Sequence, residues 1–241
     1  MKHAYVVVIA AVILGLGLAV LSIPTVLAND RDGDRVKIYD RDSVVYGRTF
    51  AEWDTEWNQW SYSFPVAHHP FFDNADCTAG QAGPVWFLGG MFKSSGGVFK
   101  TVRNCTVPYG KLLFFPVADF EDSAIEERVV GNPDEAHQQI GTLRSNTASI
   151  EGATDIFCVI DGKPVRNLWP RFSVQSTTFG FTIPEDNLLT GVYNTKFDAG
   201  TYFPAVDDGY YMMLSLAPGN HVLHFGASTW LDVTYNITVA K

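Results

Sequence analysis

The chain has 241 residues, with 17 basic and 26 acidic side chains, and 14% of its residues are aromatic. The acidic balance argues against nucleic acid as a partner, because a negatively charged surface repels phosphate backbones. Apolar residues make up 46% of the chain, which excludes a chain that stays disordered.

The first 28 residues have the pattern of a secretory signal. Lys2 is their only formal charge, an apolar run begins at Tyr5, and Val26-Leu27-Ala28 places small residues where a signal peptidase cuts. The run is also long enough to span a bilayer if it stays uncleaved, so an N-terminal membrane anchor is the alternative. Both alternatives predict a protein that is secreted or held at the extracytoplasmic cell surface. A membrane is expected as a partner only if this segment is uncleaved.

The segment that follows, residues 29–46, is polar and rich in charge. It predicts an exposed leader or linker, with a short strand at Val36–Tyr39 as a further option. Residues 47–241 then predict a single β-rich extracytoplasmic domain, because strand-like segments recur along them without a break in composition.

The best helix signal follows this leader. Thr49 and Glu52 have the spacing of a capping box, which predicts a helix over Phe50–Tyr62. Aromatic residues recur along it at helical spacing and predict one buried stripe: Phe50, Trp53, Trp57 and Trp60. Its acidic and amide residues fall mostly off that stripe: Glu52, Asp54, Glu56 and Asn58.

Short strands separated by glycine and proline turns dominate the rest of the chain. They are expected at Pro84–Leu88, Val98–Val102, Lys111–Val117, Asp155–Ile160, Lys163–Val165, Phe172–Ser176, Phe179–Ile183, Tyr210–Leu216, His221–Phe225 and Trp230–Val239. Turn residues predict three hairpins: Pro84–Leu88 with Val98–Val102, Asp155–Ile160 with Lys163–Val165, and Tyr210–Leu216 with His221–Phe225. A helical insertion is expected over Ser123–Ser149, with a second capping box at Asn132–Glu135, and a long structured loop over Leu188–Asp208.

These elements predict a β-rich α+β fold. Its core would be a β-sandwich or jelly roll that carries an N-terminal amphipathic helix on one face and the small helical insertion between strands.

Three cysteines allow three pairings, each of which leaves one thiol free. Cys77 and Cys105 are the favoured pair, since both lie in loop-like segments of a chain expected to be exported. Cys158 lies in an apolar run and is expected to be a buried, inert thiol.

Five segments of the sequence are distinctive: GRTFAEWDTEWNQW, CTAGQAGPVWFLGG, NCTVPYGKLLFFPV, CVIDGKPV and VDDGYYMMLSLAPGNHVLHFG. Together they resemble segments of an uncharacterised family of secreted microbial proteins, over about Tyr46 to Val239. The resemblance implies that these segments belong to one exported domain, and it implies no catalytic residues.

Two segments suggest metal ligands. His68 or His69 with Asp73 or Asp76 has the imidazole and carboxylate groups that suit zinc or copper, and His221 or His224 is a further candidate ligand. The alternative for the two adjacent histidines is hydrogen bonding within a loop. Alternating acids at Asp30, Asp32 and Asp34 resemble the start of a calcium loop, but a solvated leader explains them better. The expected cofactor is therefore none, with calcium or a transition metal as the exception.

Carboxylates cluster after the predicted strand Lys111–Val117. Asp119, Glu121 and Glu126 are the candidate catalytic residues, because hydrolases use paired carboxyl groups as acid and base. The alternative is that these acids only begin a helix, where negative charge is favourable. No serine lies in the context of a nucleophile elbow.

Aromatic side chains give the most economical functional hypothesis. Trp57, Trp86, Trp169 and Tyr211 are the candidates for stacking on a sugar, although tryptophans at helical spacing more often pack in a core. Asn104 and Asn236 begin acceptor patterns for N-linked glycans.

The sequence therefore predicts an exported, non-enzymatic domain that binds a glycan or a component of the cell envelope. A secreted hydrolase or metal-dependent enzyme is one alternative. A surface-layer or filament subunit that self-associates is another.

Overall fold

The computed structural model describes residues 36–72, 76–91 and 98–241. The export segment, the acidic residues Asp30, Asp32 and Asp34, and Asp73 lie outside this part of the chain.

Eleven strands and five α-helices are present in the described residues. The strands are β1 (Val36–Tyr39), β2 (Val85–Phe87), β3 (Phe99–Pro108), β4 (Leu112–Ser123), β5 (Ile156–Ile160), β6 (Lys163–Pro164), β7 (Ser173–Gln175), β8 (Phe179–Ile183), β9 (Gly200–Leu216), β10 (Gly219–Ala227) and β11 (Leu231–Ala240). The helices are α1 (Phe50–Tyr62), α2 (Ala124–Val129), α3 (Ile140–Thr147), α4 (Leu168–Arg171) and α5 (Leu188–Tyr193). Short 3₁₀ turns occupy Val66–His68, Glu135–Gln138 and Ala148–Gly152.

The strands form two mixed sheets, and the fold is β-rich as predicted. In the first sheet, β9 is the central strand: it pairs with β4 along one edge and with β1, β7 and β8 along the other. Strand β2 adds to β4 in parallel. The predicted strand Val36–Tyr39 is thus present as β1, and it belongs to this sheet.

The second sheet has the order β3-β11-β10-β5-β6. Strand β3 runs parallel to β11, and the other pairs are antiparallel. The β5–β6 hairpin turns at Asp161-Gly162, where both residues have positive φ, as a type I′ turn requires.

Apolar residues form two cores on opposite faces of the first sheet. One core takes side chains from both sheets, including Phe115 and Met212 of the first sheet and Phe225 and Val233 of the second. The other lies between the first sheet and α1, and includes Trp57 and Tyr211. The first sheet is therefore covered on both faces along much of its length.

The predicted capping box begins α1. The Thr49 hydroxyl accepts a hydrogen bond from the Glu52 amide, and the Glu52 carboxylate accepts one from the Thr49 amide at 2.7 Å. We expect Thr49→Ala to lower the free energy of unfolding by about 1 kcal/mol, because it leaves an amide of the first turn without its acceptor. Urea denaturation measures the change. Thr49→Ser keeps the hydroxyl and should unfold like the natural protein; equal losses in both variants would contradict a capping role.

Two predicted hairpins are wrong. Strand β3 does not return beside β2, because its hydrogen bonds go to β11 in the other sheet. Strands β9 and β10 also belong to different sheets, so Pro218-Gly219 carries the chain from one sheet to the other. Alternation of residues within each strand gave no information about the identity of its partner.

Two further elements differ from the sequence predictions. The expected loop Leu188–Asp208 contains α5 and the first half of β9. The expected capping box at Asn132–Glu135 is absent, and a 3₁₀ turn without a side-chain cap lies there. The helical insertion itself is present, as α2, α3 and the turns beside them.

The predicted disulfide joins Cys77 to Cys105 across a sequence separation of 28. Cys158 is the free cysteine and is buried, and burial raises the pKa of its thiol to about 12. A disulfide is typical of proteins that fold in an oxidising compartment. Within the described residues, no helix combines the length and apolar character needed to cross a membrane.

Candidate functional site

The outer edge of β4 is left open beyond its first residues. Strand β2 pairs only with Leu112–Phe114, so within the described chain no strand covers β4 from Pro116 onward. Proline lacks an amide hydrogen, which suits it to such an unpaired edge. The opening lies between α1, α5 and the start of β11.

A cavity of about 290 Å³ fills this opening and is called the acid-lined cavity below. Its polar lining comes from α1 and from the segment β4–α2: Asn58, Ser61, Tyr62, Asp119, Glu121 and Glu126. Its aromatic lining includes Trp57, Phe71, Phe120, Tyr193 and Trp230. The volume is close to the lower limit for small-molecule sites, which suits a ligand of a few chemical groups.

A polar stripe on α1 faces this region. Asp54 and Asn58 are buried, as is Ser61, and their spacing of four and three residues places them on one side of the helix. The Asn58 side-chain amide donates to Asp54 Oδ1 at 2.8 Å, whereas Asp54 Oδ2 has no hydrogen-bond partner. The helix therefore buries polar groups beside its aromatic stripe.

Strands β4 and β9 bring further acids to the same face of the first sheet. Asp119 lies opposite Gly209, and Glu121 lies opposite Asp207, so the three acids share one face. Tyr211 donates its hydroxyl to Asp207 Oδ1 at 3.0 Å, and Asp207 Oδ2 has no partner. Gly209 leaves room for this arrangement, since a Cβ there would lie 2.8 Å from the Cβ of Asp119.

Glu121 lies near the end of β4, and Glu126 lies in the first turn of α2. Each of the two glutamates accepts a hydrogen bond from a tyrosine. Tyr62 donates its hydroxyl to Glu121 Oε2, and Tyr193 donates to Glu126 Oε1 at 3.0 Å. Ser123 also donates to Glu126. Glu121 and Glu126 also hydrogen-bond to each other, which requires a proton on one of the two carboxyl groups, and Glu121 Oε1 has no further protein partner.

Burial dominates the electrostatics of these acids. It raises the pKa of Asp119 to about 7. It also raises the pKa values of Asp54 and Asp207, and neighbouring carboxylates raise both further. The pKa of Glu121 is raised by burial and then by the charge of Glu126. A carboxyl group in such surroundings keeps its proton to higher pH than it does in water.

Acids on the opposite face of the first sheet are paired. Asp208 accepts hydrogen bonds from Thr147 at 2.8 Å and from Arg144 at 3.3 Å. Asp122 accepts from the Asn146 side chain at 2.7 Å. These two acids join α3 to the sheet, and their contacts explain their burial without a ligand.

The four aromatic residues predicted to stack on a sugar lie in different parts of the fold. Trp57 and Tyr211 are buried between α1 and the sheet, and Trp57 also lines the acid-lined cavity. Trp86 is buried in the core between the sheets. Trp169 is 61% exposed and lies beside a separate depression that includes Phe157 and Val165.

The metal candidates are not gathered at one point. His69 is buried, and burial lowers its pKa to about 4, whereas His68 is exposed. Asp76 is exposed and accepts hydrogen bonds from Thr78 at 2.7 and 2.8 Å. His221 and His224 pair with Asp161 and Asp232, respectively. Among residues 36–72, 76–91 and 98–241, no three His, Cys, Asp or Glu residues are placed to hold a metal ion.

The two glycan-acceptor asparagines lie side by side. Asn104 of β3 and Asn236 of β11 are paired in register, and both are exposed. The Asn236 side chain donates to Asn104 Oδ1 at 3.0 Å.

The structure brings together Asp119, Glu121 and Glu126, all three of the candidate catalytic acids, and adds residues that were not among the candidates. Asp54 and Asp207 reinforce the acid cluster, and Tyr62 and Tyr193 position its glutamates. The i, i+4, i+7 spacing of Asp54, Asn58 and Ser61 was the available signal on α1. The adjacent aromatic stripe obscured it, since a buried face is expected to be apolar.

Comparisons with known proteins do not identify a family. No protein-family model and no curated protein matches the chain. One solved structure is similar, described as "Structure of PbICP-C in complex with falcipain-2", with 12% identity and a TM-score of 0.22. The match covers 66% of this chain and 100% of that chain. The resemblance to an uncharacterised family of secreted microbial proteins stays a prediction.

Proposed function

We propose that the chain is an exported, non-enzymatic β-sandwich domain that binds a carbohydrate of the cell envelope in the acid-lined cavity. The observation that carries the proposal is the lining of that cavity. Aromatic rings lie there beside carboxyl, hydroxyl and amide groups. A sugar presents apolar ring faces that stack on aromatic side chains, and hydroxyl groups that donate to carboxylates.

The arrangement of the sheets supports the sandwich. Both sheets contribute their inner faces to one apolar core, as two packed layers do. The parallel pairs β2–β4 and β3–β11 distinguish it from an antiparallel jelly roll. The Cys77–Cys105 disulfide supports export, together with the signal-like residues 1–28.

A second depression beside the acid-lined cavity supports a ligand of more than one sugar unit. It has a volume of about 500 Å³ and shares Asp119, Phe120 and Trp230 with the acid-lined cavity. It is also far more open to solvent. In the proposed complex, the enclosed cavity holds the end of a glycan chain, and the open depression holds the next unit.

Trp230→Ala tests this placement. Trp230 is 38% exposed and lines both depressions, so its loss should remove a stacking surface and leave the core intact. We expect affinity for the best ligand on a glycan array to fall about tenfold, the value of a single aromatic stack. Isothermal titration calorimetry measures the change.

Trp169→Ala is the matched control, because Trp169 is more exposed but lines neither depression. It should bind like the natural protein. A loss with Trp169→Ala and none with Trp230→Ala would move the site to the depression beside Trp169 and contradict the proposal.

A carboxylate hydrolase is the second candidate, and the pairing of Glu121 with Glu126 favours it. The two acids line one cavity, and burial raises both pKa values, so one can donate a proton while the other is ionised. Release of reducing sugar from the bound glycan, abolished by Glu121→Gln or Glu126→Gln, would establish this activity. Unchanged glycan after prolonged incubation would leave binding as the function.

A further inference from the structure

The charge of the acid-lined cavity restricts its ligand. The described residues that line it include three carboxyl groups, those of Asp119, Glu121 and Glu126, and no lysine, arginine or histidine. Asp54 and Asp207 add two more buried carboxyl groups close by. In their ionised form these carboxyl groups repel a carboxylate, sulfate or phosphate and attract a cation, so a bound cation favours the release of their protons.

The buried Arg103 and the partly buried Arg144 lie near this region, but neither lines the cavity. Arg144 donates to Asp208, to the Asp207 carbonyl and to the Ser176 carbonyl on the far side of the sheet. Arg103 donates to the carbonyls of Gly89 and Gly90 and to the Tyr235 hydroxyl. Neither of these two arginines therefore fills the cavity.

Buried acceptor atoms without donors indicate a position for a ligand group. Glu121 and Glu126 line the cavity and hydrogen-bond to each other, so one of them carries a proton, and Glu121 Oε1 has no further protein partner. Behind it, Asp54 Oδ2 and Asp207 Oδ2 are also unpartnered, and both residues are fully buried. Buried acceptors without donors are unfavourable, and an ammonium group offers three N–H donors.

Aromatic rings surround the same acids. Tyr62 and Tyr193 contact the two glutamates through their hydroxyl groups, and Trp57 and Trp230 also line the cavity. The face of an aromatic ring attracts a cation, and the attraction is strongest for tryptophan. Carboxylates and ring faces together favour a positively charged organic group over a neutral one.

We infer that the acid-lined cavity selects a ligand with a protonated amine, which donates to Glu121 and Glu126 while its carbon skeleton packs against Trp57 and Trp230. The preference for an amine is inferred from the lining of the cavity and does not depend on the proposed function. The further statement that the ligand is an amino sugar rests on the proposed function.

Calorimetry with four small probes tests both parts on the natural protein. Glucosamine has a sugar ring and an amine, glucose has the ring alone, ethanolamine has the amine alone, and glucuronate has the ring with a negative charge. We expect glucosamine to bind at least tenfold more tightly than glucose, and glucuronate not to bind.

The outcomes separate the two proposals. Glucose binding as tightly as glucosamine would overturn the amine preference and leave carbohydrate binding in place. Ethanolamine binding as tightly as glucosamine would support the amine preference and overturn the sugar. Failure of all four probes to bind would overturn both.

Two conservative variants locate the amine. Glu121→Gln and Glu126→Gln keep the size of the side chain and remove its charge, so each should reduce the preference for glucosamine over glucose at least fivefold. Glu135→Gln is the control, since Glu135 is exposed and lies outside the cavity. Circular dichroism verifies that each variant is folded. An unchanged preference in both folded cavity variants would contradict the assignment.

Discussion

Raising the pH from 4 to 7 is expected to lower the free energy of unfolding of this protein by roughly 3 kcal/mol or more. The cause is the set of buried acids between α1 and the first sheet. Asp119 has its pKa raised from 3.8 to about 7, so the folded chain keeps a proton that the unfolded chain releases above pH 4. The stability contributed by Asp119 therefore falls as the pH rises through this window, and Asp122, with a pKa of about 6, adds to the loss. His69, whose pKa burial lowers to about 4, offsets part of the loss, because its buried neutral ring becomes more favourable as the pH rises.

Other acids act in the opposite direction at lower pH. Hydrogen bonds from backbone and side chain lower the pKa of Glu52 and Asp76, and hydrogen bonds from Thr229 lower that of Asp155. Their stabilisation is lost as the pH falls through these lowered values, below about 4. Maximum stability is therefore expected in mildly acidic solution.

Urea denaturation at half-unit steps of pH measures this profile. Asp119→Asn removes the titrating group while keeping its shape, so its stability should depend less on pH between 5 and 7. A free energy of unfolding that is level or rises from pH 4 to pH 7 would contradict the protonated state of these acids.

Loss of the Cys77–Cys105 disulfide is expected to lower the free energy of unfolding by about 3 to 4 kcal/mol. The bond closes a loop with a sequence separation of 28, and opening it restores conformational freedom to the unfolded chain. The bond also ties the segment that carries Gly89 and Gly90 to β3, where Arg103 donates to both carbonyls.

The double variant Cys77→Ser, Cys105→Ser tests this loss in urea. The natural protein unfolded in the presence of dithiothreitol should lose the same free energy, which separates the bond from any effect of the new hydroxyl groups. Cys158→Ala keeps the disulfide and serves as the control. Equal stability of the oxidised and reduced natural protein would show that the bond does not constrain the unfolded chain.

Local sequence signals predicted individual elements well. Thr49 and Glu52 predicted the start of α1, and Asp161-Gly162 predicted the turn between β5 and β6, because each depends on residues a few positions apart. The partner of each strand could not be predicted in the same way. Strand β3 pairs with β11 across more than 130 residues, and no property of Phe99–Pro108 specifies that partner.

The candidate site could be predicted only in part, because only some of its residues are close together in the sequence. Asp119, Glu121 and Glu126 stand close together in the sequence, so a cluster of acids was visible. Asp54 and Asp207 join them only because α1 packs on the face of the sheet where β4 and β9 are neighbours. Burial then raises their pKa values, and burial depends on the tertiary structure.

Carbon-13 NMR of the side-chain carboxyl groups, followed from pH 3 to pH 9, tests the acid-lined cavity most directly. Asp119→Asn and Glu121→Gln assign the signals of those two residues. We expect the carboxyl group of Asp119 to titrate near pH 7 and the pKa of Glu121 to lie well above that of a solvent-exposed glutamate, because both are buried, and we expect a bound amine to lower both midpoints. Titration of both groups in the free protein at the ordinary pKa values of exposed carboxyl groups would contradict the burial of these acids.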